Sequence, residues 1–169
     1  MPDRKQHRST AATEGSIAEA CATDGADTTN ERERMRLEEI TVGQTAEFTK
    51  TVTETDVVLF AGITGDFNPA HVNEVEAGQG MFGGRIAHGM LSAGFISTVL
   101  AMRLPGPGTI YLSQNLRFVR PVRIGDTVTA RVEVAEVIAA KRRVRLSTTV
   151  ANHHGENVID GEAVVMIPA

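Results

Sequence analysis

Cysteine is nearly absent from this 169-residue sequence. Cys21 is the single one, so no disulfide can form within the chain. The sequence also lacks an apolar run of the kind found in secretory signal peptides. Both features predict a protein that works in a reducing, cytoplasmic setting.

An excess of positive charge is lacking as well. The chain has 17 Lys and Arg against 21 Asp and Glu, a formal net charge of -4. A nucleic-acid surface needs concentrated positive charge to neutralise phosphates, so no nucleic-acid partner is expected. The longest apolar run, residues 87–104, contains His88 and Arg103. We therefore interpret it as a core helix and expect no membrane association.

Large apolar side chains are scarce at the N-terminus. Residues 1–34 are rich in Ala, Thr, Asp, Glu and Arg. Such a segment cannot bury enough apolar surface to order itself, so we predict a disordered N-terminal extension. Residues 35–169 are then expected to form one domain, which is long enough to bury a hydrophobic core.

The apolar run is the organising feature of this domain. From residue 88 to residue 104 it is apolar nearly all round at helical spacing, which predicts a helix buried on every side. The sequence P-G-P-G at residues 105–108 ends this helix. The large side chains expected in the core are Met90, Phe95, Leu100 and Met102.

The rest of the domain is mostly strand-like. Alternating apolar residues over 128–134 indicate a sheet with one buried face, and strands are also expected at 45–52, 109–120, 141–152 and 158–167. Thr53 and Asp56 form a capping box that begins another helix, which Gly65 ends. We predict an α+β fold in which an antiparallel sheet of about five strands is wrapped around the long central helix.

The segment G-D-F-N-P-A-H at residues 65–71 carries the candidate chemistry. Asp66 offers a permanent negative charge, and the imidazole of a histidine such as His71 can exchange a proton near neutral pH. Pro69 is expected to prevent helix formation between them, and Asn68 to tie the loop through its amide. The same letters are also typical of an ordinary turn. A metal site formed by Asp66, His71 and His88 is a further alternative, although the spacing matches no common zinc pattern.

Three motifs in this order resemble the MaoC-like dehydratase family, also called (R)-specific or type 2 enoyl-CoA hydratases. They are G-D-F-N-P-A-H at 65–71, A-H-G-M-L at 87–91 and L-P-G-P-G-T-I-Y-L at 104–112. The resemblance extends over about residues 37–168. It implies the hot-dog fold, a homodimer, an acyl-CoA thioester substrate and a place in fatty acid metabolism. No metal, flavin or nicotinamide motif is present, so no cofactor is expected.

The implied reaction is reversible hydration of a trans-2-enoyl-CoA to an (R)-3-hydroxyacyl-CoA. It needs a water deprotonated for attack at C3, a proton delivered to C2, and donors for the thioester oxygen. Asp66 and His71 are expected to divide the first two tasks. The N–H of Gly89, at the start of the central helix, is expected to form the oxyanion hole. The resemblance implies the same role for Gly89 and places Ser97 near the active site.

Several roles stay open. We expect Asn68 and Ser97 to contact substrate, and His88 to hold the loop by a hydrogen bond. Arg117, Arg120 and Arg123 are local candidates for the phosphates of coenzyme A. The same fold also hosts acyl-CoA thioesterases, and a non-catalytic acyl-CoA or acyl-carrier binding module is a third alternative.

Overall fold

The computed structural model describes residues 35–168, so the predicted disordered extension at residues 1–34 lies outside the described residues. Within them the chain forms a five-stranded antiparallel sheet in the order β1-β3-β4-β5-β2. This architecture confirms the predicted α+β class. The strands are β1 (Thr45–Thr51), β2 (Ile110–Phe118), β3 (Thr127–Ile138), β4 (Arg143–Asn152) and β5 (Asn157–Met166), and the helices are α1 (Glu54–Thr64), α2 (Pro69–Val72), α3 (Glu74–Gln79) and α4 (Gly89–Met102).

The sheet buries one face, as the alternating pattern predicts. On β3, Val128, Ala130, Val132 and Val134 are at most 1% exposed, and the residues between them face outward or are half-buried. Strand β4 repeats the alternation. Period-two burial places every second side chain against the helix layer, so the sheet supplies the floor of the core.

Helix α4 packs across this floor and contacts β1, β3 and β4. Phe95 lies against Phe48 of β1, with ring centroids 5.8 Å apart. The prediction of burial on every side is wrong, because Met90 and Met102 are 56% and 65% exposed. A single sheet covers only one side of α4. The apolar composition of the helix does not show which side stays uncovered. Phe95 and Leu100 are buried as predicted.

Helix α1 has the predicted start and end. Thr53 Oγ1 accepts a hydrogen bond from Asp56 N at 3.2 Å, and Asp56 Oδ2 accepts one from Thr53 N at 2.8 Å. This reciprocal pairing satisfies backbone donors at the helix N-terminus. Gly65 ends the helix with a φ of 76°, a left-handed conformation that glycine adopts without a Cβ clash. The chain then turns directly into Asp66.

The prediction that Pro69 prevents a helix is wrong. Pro69 instead occupies the first position of α2, where its missing N–H is not needed and its fixed φ is already helical. Asn68 caps this helix, because its Oδ1 accepts from Ala70 N at 3.0 Å. The expected use of the Asn68 amide is therefore confirmed, and His71 lies on a short helix rather than on a loop.

Arg85 connects the helices around this segment. Its guanidinium donates to Glu54 Oε1 at 2.7 Å and to Glu54 Oε2 at 2.8 Å, and its Nε donates to Glu74 Oε2 at 2.9 Å. Glu54 begins α1 and Glu74 begins α3, so one side chain ties the N-termini of two helices together. This bidentate geometry is the one that guanidinium groups favour with carboxylates.

None of the helices within residues 35–168 has both the length and the apolar character required to cross a bilayer.

Candidate active site

A cleft of about 610 Å³ opens beside the N-terminus of α4. Its walls come from the end of α1, the segment from Asp66 to Ser92, and the chain that leaves β2. The lining is mostly apolar with a few polar groups, as in pockets that hold an apolar ligand in a fixed orientation. The lining residues are Phe60, Thr64, Asp66, His71, Phe82, Ile86, Ala87, His88, Gly89, Met90, Ser92, Phe118, Val119, Arg120, Pro121, Val122 and Ile159.

His71 is oriented by the backbone. Its Nδ1 lies 2.8 Å from the carbonyl oxygen of Ile86. A carbonyl can only accept, so Nδ1 carries the proton of this hydrogen bond and Nε2 carries the lone pair of the neutral ring. His71 is half-buried and lines the cleft. It therefore presents a base whose tautomer is fixed by its neighbour.

Asp66 lies next to this base, as the sequence predicts. Its side chain is exposed at the cleft, and its Oδ1 accepts from Asn68 N at 3.2 Å. Side-chain ligand atoms of Asp66, His71 and His88 all lie within 4.8 Å of one another. A carboxylate and an imidazole at this separation can both reach one water molecule.

His88 contacts both Asp66 and His71. Its Nε2 donates to the backbone carbonyl of Asp66 at 3.0 Å, which confirms the expectation that it holds the loop. Its ring stacks on that of His71, with centroids 3.8 Å apart and planes inclined by 30°, and Phe60 packs on it at 5.0 Å. His88 is only 2% exposed. The position of Asp66 is thus coupled to a buried ring.

The same geometry argues against the metal alternative. His71 Nδ1 is committed to the Ile86 carbonyl, which leaves only one ring nitrogen of His71 for a ligand bond. His88 Nε2 is already committed to the Asp66 carbonyl. A tetrahedral site needs three or four converging ligands. The arrangement of Asp66, His71 and His88 is better suited to proton transfer.

Gly89 is the first residue of α4, and His88 is its N-cap. The backbone N–H groups of a first helical turn have no partner within the helix, so this end of α4 presents donors and a positive dipole to the cleft. A Cβ on Gly89 would lie 2.8 Å from Cδ1 and Cε1 of Phe118. Glycine is therefore required for close packing here, and residue 89 has no side chain of its own to shield its N–H.

Two of the predicted substrate contacts lie outside the lining of this cleft. Ser97 is half-buried further along α4, and Asn68 is exposed. Their role in substrate binding stays a prediction. Sequence reasoning missed Ser92, which lines the cleft and is 1% exposed. Its spacing of four residues from His88 is the signal that could have identified it, because residues at that spacing share a helix face.

Arg120 brings a positive charge to the cleft wall. It lines the cleft, its Nη1 donates to the carbonyl of Asn157 at 2.9 Å, and its Nε lies 3.7 Å from Glu156 Oε1. The two other arginine candidates do not line it. Arg117 lies 3.6 Å from Asp160, and an NH2 of Arg123 donates to the carbonyl of Phe82.

Charge also stabilises the frame of the site. Hydrogen bonds from Arg85 hold the pKa of Glu54 below its ordinary value. Ile86, which follows Arg85 directly, supplies the carbonyl that orients His71. The ion pairs of Arg85 therefore act on the backbone that fixes the base.

Comparison with protein families gives a match to the MaoC like domain over residues 38–157. The sequence is 57% identical over 133 residues to an (R)-specific enoyl-CoA hydratase of Rhodospirillum rubrum, covering 79% of this chain and 92% of that protein. It is 53% identical over 134 residues to a 3-hydroxybutyryl-CoA dehydratase of Methylorubrum extorquens, covering 79% of this chain and 85% of that one.

A solved structure agrees. The (R)-hydratase of Aeromonas caviae involved in PHA biosynthesis superimposes with a TM-score of 0.75 at 40% sequence identity. The match covers 78% of this chain and 99% of that one.

Proposed function

Because the chain belongs to the MaoC-like domain family, we propose that it is an (R)-specific enoyl-CoA hydratase. It is a hydro-lyase with the hot-dog fold, and the family predicted from the three sequence motifs is confirmed. The reaction adds water across the double bond of a trans-2-enoyl-CoA and gives an (R)-3-hydroxyacyl-CoA, reversibly.

The observation that carries this assignment is the fixed tautomer of His71 beside Asp66. The Ile86 carbonyl holds the proton on Nδ1, so Nε2 is the basic nitrogen. Asp66 lies within reach of the same point, where it can accept the second hydrogen of a water molecule. A water held between a carboxylate and an imidazole is oriented and easily deprotonated.

The proposed steps conserve every proton. As the water oxygen bonds to C3, His71 Nε2 takes one of its protons and the C2–C3 π electrons move into the thioester. The N–H of Gly89 donates to the thioester oxygen while it carries enolate charge. The imidazolium of His71, stabilised by Asp66, then returns its proton to C2. The enolate collapses and the neutral thioester leaves.

The shape of the cleft supports an acyl substrate. Apolar side chains such as Phe60, Phe82 and Met90 line the same cleft as Asp66 and His71. An acyl chain can bury its methylene groups there while the thioester stays at the N-terminus of α4. Arg120, which also lines the cleft, is the residue we propose to contact a phosphate of coenzyme A.

We also propose that the protein acts as a homodimer in the cytoplasm, in fatty acid metabolism. Strand β2 is an edge of the sheet, and its residues Ile110, Tyr111 and Leu112 are 39–43% exposed. Met90 and Met102 leave an apolar flank of α4 uncovered. Exposed edges and apolar flanks of this kind are normally covered by a partner.

The test follows the absorbance of the enoyl-thioester bond with short and medium trans-2-enoyl-CoAs, followed by chiral analysis of the product. Loss of the enoyl absorbance and formation of the (R)-3-hydroxy isomer are expected. Release of free coenzyme A from saturated acyl-CoAs would identify a thioesterase instead. Binding of acyl-CoA without turnover would identify a binding module.

A further inference from the structure

Two polar atoms at the floor of the cleft are left without a partner. Among residues 35–168, His88 Nδ1 and Ser92 Oγ are the buried side-chain nitrogen and oxygen atoms that make no hydrogen bond within the chain. His88 is 2% exposed and Ser92 is 1% exposed. Buried polar atoms in folded proteins are nearly always paired with protein or with ordered water. Two such exceptions on one helical turn therefore call for a common partner.

The hydrogen bond to Asp66 fixes the state of the His88 ring. Because a carbonyl oxygen only accepts, Nε2 must carry the proton in the 3.0 Å contact. A second proton on Nδ1 would create a buried cation stacked 3.8 Å from His71. Burial of an unpaired charge is costly, and a neighbouring cation would oppose protonation of His71. Nδ1 of His88 is therefore a lone pair that needs a donor.

Ser92 carries the other buried and unpartnered side-chain atom, a hydroxyl that can supply this donor. It lies four residues after His88, so both project from the same side of the start of α4. A serine inside a helix usually donates to the carbonyl four residues earlier. Ser92 makes no such bond, and the His88 carbonyl accepts from Leu91 N at 3.1 Å instead. The hydroxyl proton is thus not committed to any acceptor within the described chain.

We propose that Ser92 is a positioning residue of this active site. Its hydroxyl, joined to His88 Nδ1 through one buried water molecule, fixes the His88 tautomer that donates to the Asp66 carbonyl. Both residues line the cleft, and their two buried atoms provide two of the polar partners that a buried water requires. This role rests on the proposed function, because it acts through Asp66.

Loss of Ser92 should allow His88 to adopt its other neutral tautomer. Without a donor at Nδ1, the His88 proton can move to that nitrogen. Nε2 would then turn a lone pair toward the Asp66 carbonyl, and two acceptors repel each other. The Asp66 segment would lose its brace while the apolar wall of the cleft stays intact. Loss of Ser92 should therefore lower kcat and leave KM unchanged.

The experiment measures the tautomer directly, by ¹⁵N NMR of the imidazole nitrogens in the full-length protein. The His88 signals are assigned by their loss in His88→Gln. In the wild type, His88 is expected as the neutral form with the proton on Nε2. In Ser92→Ala, a substantial fraction should carry the proton on Nδ1, and kcat should fall about three- to tenfold, the size of one hydrogen bond.

Two variants separate this role from a merely structural one. Ser92→Thr keeps the hydroxyl and should restore both the tautomer and kcat. Thr98→Ala removes a hydroxyl from the same helix, one that donates to the Gly94 carbonyl at 3.4 Å, and should change neither readout.

Three results would overturn the proposal. They are a wild-type His88 with its proton on Nδ1, a Ser92→Ala variant with an unchanged tautomer, and a changed tautomer with unchanged kcat. The first two do not depend on turnover. If the wild type fails to hydrate enoyl-CoAs, the proposed function fails, and the NMR result still decides the Ser92–His88 link.

Discussion

His71 and His88 lie face to face, with ring centroids 3.8 Å apart, and each ring donates to the backbone of a different segment. His71 bonds to the Ile86 carbonyl that precedes α4, and His88 bonds to the Asp66 carbonyl that follows α1. The two segments are therefore tied to each other at the stacked rings. These ties hold the proposed base and its carboxylate partner side by side in one rigid unit.

Removal of either partner should abolish most hydration. Asp66→Asn and His71→Ala should each lower kcat by about 10²- to 10⁴-fold, because the water loses its positioned acid–base group. The double variant should be little worse than either single one, since the two groups act on one water. Enoyl absorbance measures kcat, and calorimetry with a saturated acyl-CoA should show retained binding.

His153→Ala is the matched control, because His153 lies exposed in the turn between β4 and β5. Near wild-type hydration by both single variants would contradict the assigned roles of Asp66 and His71.

A side chain at Gly89 should block the thioester. Gly89→Ala should lower kcat/KM by about a hundredfold, comparable to loss of an oxyanion donor, while the protein stays folded. The added Cβ would also lie 2.8 Å from ring atoms of Phe118. This packing clash must be distinguished from obstruction of the substrate. Truncation of that ring in Gly89→Ala/Phe118→Ala should not restore activity if the obstruction concerns substrate.

Gly94→Ala serves as the control for Gly89, since a Cβ on Gly94 meets nothing within 4 Å. It should keep full activity and raise helix stability by about 1 kcal/mol. Full recovery in the Gly89→Ala/Phe118→Ala variant would remove Gly89 from the oxyanion hole and assign it to packing alone.

The ion pairs of Arg85 should give a pH-dependent stability. The pKa of Glu54 is lowered in the fold, so its contribution is present above the ordinary carboxyl pKa of about 4.3 and is lost as the pH falls through the lowered value. The Tm difference between wild type and Arg85→Ala should therefore be largest near neutrality and vanish in acid. Loss of the Arg85 ion pairs should also loosen the backbone at Ile86, whose carbonyl orients His71. We therefore expect kcat to fall several-fold.

Arg131→Ala is the comparison for Arg85, because Arg131 also contacts two carboxylates, Glu47 and Glu133, but is more exposed. Its Tm should change little at any pH. An equal loss for Arg131→Ala and Arg85→Ala would show that Arg85 has no special place in the frame.

Arg120→Ala should weaken binding only of substrates that carry the nucleotide phosphates. An exposed charge contact is worth up to about 1 kcal/mol, so KM for an enoyl-CoA should rise by up to about fivefold. KM for the corresponding enoyl-pantetheine should not change. Arg117→Ala, three residues earlier on β2 and outside the cleft lining, provides the control. An equal rise with both thioesters would exclude a phosphate contact.

The dimer should depend on the edge of the sheet. Light scattering should give about twice the 18.1 kDa chain mass. Leu112→Glu places a charge on edge strand β2 and should shift the protein toward a monomer of lower stability, whereas Val42→Glu, at another exposed apolar position, should not. A fully active wild-type monomer would refute the proposed assembly.

The local signals in the sequence were reliable where one physical cause acts alone. The capping box at Thr53, the left-handed stop at Gly65 and the alternation along β3 were all predicted correctly. Asp66 and His71 were also correctly placed together. Hydrogen bonding, glycine conformation and side-chain period decide these features within a few residues.

The failures arise where two causes compete. Proline both stops helices and starts them, and at Pro69 the start prevailed because Asn68 supplied a cap. The exposure of Met90 depends on how much of α4 one sheet can cover, which no local pattern encodes. Ser92 was missed because an apolar run does not show which face of the helix points to the cleft. The sequence alone therefore does not distinguish Ser92, which lines the cleft, from Ser97, which does not.

The proposed proton chemistry is encoded in one continuous stretch, from Asp66 to Ser92, inserted between the first two strands. Much of the apolar wall comes from elsewhere, at residues 118–122 and Ile159. The wall is thus shared between this stretch, which supplies Phe82, Ile86 and Met90, and a later part of the gene. Codon libraries confined to residues 118–122 and 159 would sample acyl preference without touching the groups that move protons, and recombination between relatives at the end of β1 and the start of β2 would exchange the proton-transfer stretch while keeping that later part of the wall.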